Sequence, residues 1–95
     1  MTEAEAVFAA EVARWRATSW DELRGHLDDA VAYEVPGETG LRYQFEVLVF
    51  WDDPRKKTTL RVLITGDDGD GWKVSSRRMR NDDFLLAPDG TFVGE

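Results

Sequence analysis

Between Leu41 and Trp51 the chain alternates with a period of two: Leu41, Tyr43, Phe45, Val47, Val49 and Trp51 fall on one side, Arg42, Gln44 and Glu46 on the other. The polar side then turns apolar at Leu48 and Phe50. A strand buried on one face keeps its alternation, and one covered on both faces loses it. The pattern predicts a central strand with a second contact surface near Leu48 and Phe50.

Three more strands are predicted around it. Ala30 to Val35 places Val31, Tyr33 and Val35 on one side, and PGETG at 36–40 turns it into the central strand. DDPRKKT at 52–58 leads to Thr59–Thr65, with Leu60, Val62 and Ile64 inward. GDDGDG at 66–71 leads to Trp72–Arg77, with Trp72 and Val74 inward. Gly, Pro and Asp stand where hairpin turns need them. Pairing Tyr33 with Tyr43, Val49 with Leu60 and Val62 with Val74 keeps every inward side chain on one face, which predicts an antiparallel meander.

A helical period precedes the strands. Over residues 3–16, Ala4, Val7, Phe8, Val12 and Trp15 share one arc, with Glu3 and Glu5 in the first turn and Arg14 and Arg16 in the last, as the helix dipole favours. Glu11 projects between Val7 and Trp15: either it reaches the edge and pairs with Arg14, or it is a partly buried acid. Ser19-Trp-Asp-Glu22 is a capping box. It opens a second helix over 20–28, with Trp20, Leu23 and Leu27 on one face. The predicted fold is α+β. A helical hairpin (3–28) packs on one face of a four-stranded antiparallel meander (30–77). The tail (78–95) packs on the sheet or adds a short strand, since Phe84, Leu85, Leu86, Phe92 and Val93 are too apolar for disorder.

Ninety-five residues make one domain. With no cysteine, disulfides and thiolate chemistry drop out. The acidic start, MTEAEAVFAA, is not a signal peptide, and no run reaches membrane-span length, so a cytoplasmic protein is expected. The net charge is −7. Residues 1–50 hold ten acidic and four basic side chains. That balance disfavours nucleic acid and anionic membranes and suits a basic partner.

The candidate chemistry is sparse. Aspartate pairs at 28–29, 52–53, 67–68 and 82–83 sit at element ends, where they cap backbone amides. Asp67, Asp68 and Asp70 could gather oxygens for calcium, but the EF-hand spacing is missing. His26 has no sequence partners for a triad or metal site. Arg55-Lys56-Lys57 and the Arg77, Arg78 and Arg80 cluster are flanked by Asp52, Asp53, Asp82 and Asp83, which cancel much of their field. No nucleotide, hydrolase or zinc-protease motif occurs. No catalytic residue, metal or cofactor is assigned.

The second sheet face carries more. Leu48, Phe50 and Leu63 should cluster there with Arg61 beside them, an apolar centre rimmed by charge, as interaction sites have. The apolar tail, a second copy of the chain or another protein could cover it. A non-enzymatic protein-binding module, acting through this face or an edge of the sheet, is the favoured function. Two alternatives stay open. One is an enzyme or small-ligand binder whose pocket between helices and sheet would receive Glu11, Tyr33 or Tyr43. The other is an acidic immunity-type inhibitor.

FWDD at 50–53, DDGDGW at 67–72 and DDFLLAPDGTFVGE at 82–95 resemble a family of small uncharacterised bacterial domains. In that family an aromatic-Trp-Asp-Asp strand end and an acidic turn before Trp precede such a closing segment. The resemblance covers roughly residues 41–95 and is most specific in the closing segment. It implies a bacterial setting and a closing segment integral to the domain. It implies no activity.

Overall fold

A computed structural model describes residues 1–67 and 79–95. Helix α1 spans Glu3–Arg16, as the periodicity predicts. Thr2 starts it, its hydroxyl accepting the Glu5 amide at 3.2 Å. Ser19 starts α2 in the same way, accepting the Glu22 amide at 3.2 Å. However, α2 covers only Trp20–Arg24, not 20–28. Gly25 is a poor helix former, and the chain beyond it finds a better partner. Asp28 adopts a left-handed φ of 63°. Its N–H donates to the Val49 carbonyl at 3.3 Å, so 26–29 turns onto the sheet margin.

The sheet has four antiparallel strands in the order β1-β2-β3-β4. They are β1 (Val31–Pro36), β2 (Arg42–Trp51), β3 (Leu60–Gly66) and β4 (Arg80–Leu86). The meander holds, and the registers need correction. Tyr33 pairs with Phe45 rather than Tyr43, and Val49 with Val62 rather than Leu60. In both hairpins the turn is centred one residue later than predicted, which moves each register by two. A slip of two leaves every side chain on its face, so the inward set survives.

The other edge of β3 is taken by the tail. Val62 pairs with Phe84, not Val74. The predicted strand Trp72–Arg77, the acidic loop through Asp68 and Asp70, and Arg77 and Arg78 lie outside the described residues. The tail therefore supplies a full strand. Leu86 then bridges Phe92, and Phe84 meets Phe92 edge to face at 5.7 Å. Arg16 lies over the Phe92 ring at 4.1 Å and donates to Glu95 at 2.9 Å, tying the closing segment to α1.

The core lies between the helices and the inner sheet face. Leu23, Val47, Leu60, Val62 and Ile64 are wholly buried. Each such side chain contributes about 1.5–3 kcal/mol of hydrophobic stabilisation. Phe8 and Tyr33 each stack on the Phe45 ring, at 6.1 and 5.5 Å between ring centres. Gly66 leaves room for this packing, since a Cβ there would come within 2.9 Å of Phe45. No helix of the described residues is long and apolar enough to cross a membrane.

Candidate functional site: the outer sheet face

The strand pairings place the outer-face residues in rows. Leu48 stands opposite Leu63, and Phe50 opposite Arg61, whose other neighbour is Leu85. Leu48, Leu63 and Leu85 are half-buried, and Phe50 is 37% exposed. The predicted cluster of Leu48, Phe50 and Leu63 around Arg61 is brought together, and Leu85 joins it.

Arg61 is not a free cation. It donates to Asp52 at 3.0 Å and to Asp83. Ion pairs this exposed add little stability. They do hold the guanidinium between two carboxylates, and the strand register sets Arg61 between Phe50 and Leu85. The patch is thus an apolar centre with an acidic rim.

The tail does not cover this face. Phe84, Leu86 and Phe92 point to the helix side and join the core, while Leu85 extends the outer patch. Leu85 and Asp83 are not among the site residues expected from the sequence, which sets Trp72–Arg77 beside β3 and has the tail pack on the sheet or add a short strand, whereas Arg80–Leu86 takes that place. The period-two signal was present: Phe84 and Leu86 flank Leu85.

A second polar constellation lies between α1 and β1. Trp15 donates its indole N–H to the Tyr33 hydroxyl at 2.8 Å, and Tyr33 donates to Glu11 at 2.8 Å. Glu11 also pairs with Arg14 at 3.0 Å, whose guanidinium lies over the Trp15 and Tyr33 rings. Burial pushes the Tyr33 hydroxyl pKa up. Tyr43 donates to Glu3 at 2.7 Å, so that hydroxyl is engaged as well. His26 packs edge to face on Trp15 at 5.8 Å.

Asp53 accepts the Arg55 amide at 2.9 Å in the β2–β3 loop, and Asp67, just past β3, accepts the Gln44 amide at 3.1 Å, as residues at element ends do. Asp82 and Asp83 are not at an element end: they lie within β4 opposite Ile64 and Leu63, with Asp82 accepting the Asp83 amide at 2.8 Å. Arg55, Lys56 and Lys57 are exposed in the β2–β3 loop.

Comparison with known protein families, curated proteins and solved structures found no match. The functional reading rests on this chain's own geometry.

Proposed function

We propose that the protein is a non-enzymatic, cytoplasmic binding module that contacts another protein through the outer face of its sheet. Leu48, Phe50, Leu63 and Leu85 would desolvate on contact, and the carboxylates around Arg61 would select the partner's charge. One observation carries this reading: four apolar side chains gather on a face that the chain's own tail leaves open. The enzyme or small-ligand reading has less support. Glu11, Tyr33 and Tyr43, the groups it would use, are hydrogen-bonded within the fold. An immunity-type inhibitor is a narrower form of the same proposal, favoured by the net charge of −7.

The test is a soluble paramagnetic probe with methyl-labelled protein, alongside sedimentation. The methyl signals of Leu48, Leu63 and Leu85 should broaden strongly in the monomer. A monomer in which all three are protected would remove the contact surface. If the protein self-associates instead, Phe50→Ser should dissociate it.

A further inference from the structure

The two long edges of the sheet are finished differently. On β4 the Leu85 carbonyl accepts the Val93 N–H at 2.9 Å. The Asp83 N–H is taken by the Asp82 carboxylate at 2.8 Å. Acidic side chains and a returning tail are common means of closing an edge.

On the β1 edge, among the described residues, no tail returns and no side chain takes an outward amide; its one acidic residue, Glu34, pairs with Arg42 instead. Gly37 N–H donates to the Leu41 carbonyl at 2.8 Å, which continues the β1–β2 ladder and sets its phase. Val31, Tyr33 and Val35 therefore turn their backbone groups toward β2, and Ala32 and Glu34 turn theirs outward. Among the described residues nothing bonds those outward N–H and C=O groups. Ala32, Glu34 and Pro36 are exposed.

Beside this edge lies an open depression of about 490 Å³, floored by Ala6, Val7 and Ala10 of α1 and by Pro36. Glu3 and Glu38 line its end. Glu3 accepts from the Tyr43 hydroxyl, the Thr39 hydroxyl and the Thr39 amide, all neutral donors. Among the described residues no cation stands within ion-pair distance of Glu3 or Glu38.

We propose that β1 accepts an extended peptide segment as an added antiparallel strand, with apolar residues at alternate positions and basic residues at its N-terminus. The hydrogen bonds would come from the outward groups of Ala32 and Glu34, the usual source of affinity in strand addition. A residue of the added strand opposite Val35 shares Val35's side of the sheet and so faces the depression beside Ala6 and Ala10. An antiparallel strand has its N-terminus at the Pro36 end of β1, where Glu3 and Glu38 would meet its cations. A second copy of this chain is a poor occupant, because pairing would set a charge of −7 against −7 and place Glu34 on both sides of the seam. This site is on a different part of the sheet from the β2–β4 patch and stands independently of it.

The experiment uses the full chain, ¹⁵N-labelled, titrated with a synthetic peptide acetyl-Lys-Lys-Val-Thr-Val-Thr-Val-amide. Saturable shifts are expected at Ala32, Glu34, Ala6 and Ala10, with slowed amide exchange at Ala32 and Glu34. Replacing both peptide lysines by glutamate should weaken binding by about tenfold or more. Ala32→Pro removes an outward N–H without breaking the β1–β2 ladder and should abolish binding. Ala10→Arg, on an exposed helix position, should weaken it and provides a second variant if Ala32→Pro does not fold. The proposal is overturned by the absence of saturable shifts, or by shifts centred on Leu48, Phe50 and Leu63. Slow exchange of the Ala32 and Glu34 amides in the free monomer would also overturn it, since the edge would already be covered. Dimerisation abolished by Ala32→Pro would assign the edge to a second copy and reject the peptide. Equal binding of the glutamate peptide would reject the basic partner.

Discussion

Removing a single oxygen atom tests what the Glu11–Tyr33–Trp15 chain is for. In Tyr33→Phe the ring can keep its stack on Phe45, at 5.5 Å. Two hydrogen bonds of 2.8 Å are lost. Trp15 is 5% exposed, so its indole N–H loses its acceptor with little access to water. A buried donor left unsatisfied costs about 1–3 kcal/mol. Glu11 keeps Arg14 at 3.0 Å, so its loss is the smaller one. The expected destabilisation is about 2 kcal/mol. For a domain of this size that corresponds to a fall in melting temperature of roughly 10 °C, at about 4–8 °C per kcal/mol. Urea denaturation of the two proteins measures it, with an unchanged m-value showing that the fold persists. Combining Tyr33→Phe with Trp15→Phe should return a coupling of about 1 kcal/mol, because the double variant has no orphaned donor. A Tyr33→Phe protein as stable as the parent would refute the reasoning. It would mean that the hydroxyl is not structural, and the chemical reading of Glu11 and Tyr33 would regain ground.

Other consequences follow from the same contacts. Gly66→Ala should destabilise by about 1–3 kcal/mol, since its Cβ would sit 2.9 Å from Phe45 and 3.0 Å from Phe8; thermal denaturation reads this directly. Phe50→Ser should cost about 1–2 kcal/mol, since Phe50 is only 37% exposed and loses its partial burial and strand propensity, while also changing any contact made through the outer face. The hydroxyls of Tyr43 and Thr39 hold the Glu3 pKa below the ordinary glutamate value. A lowered pKa in the folded state adds stability above the unfolded value, and this is lost as pH falls through the folded one. Acid unfolding should therefore be shallower in Glu3→Gln, and NMR titration of Tyr43→Phe should show the Glu3 pKa moving up.

Much of the architecture was legible in the sequence because its signals are local. The arc of Val7, Phe8, Val12 and Trp15, the Ser19 capping box and the alternation from Leu41 to Trp51 each depend on residues within a few positions of one another. Local periodicity thereby determined both helix starts, the strand that anchors the sheet, and which side chains face inward. It also determined that Leu48, Phe50 and Leu63 share the outer face with Arg61. Register was not legible to better than two residues, because a slip of two preserves every facing and leaves only loop length to decide.

Which segment pairs with the outer edge of β3 was a tertiary decision. Phe84 and Leu86 complete the core opposite Val62 and Leu60, and Phe92 and Glu95 hold that strand against α1. These are contacts between residues distant in sequence, and no local period encodes them. The same choice placed Leu85 and Asp83 beside Arg61 and set Phe84 and Leu86 on the opposite side of the sheet. Tertiary packing also ended α2 early, when the Asp28 amide found the Val49 carbonyl. The central strand's double-sided pattern came from its own residues, but whether its second side meets the tail or solvent depended on the far end of the chain.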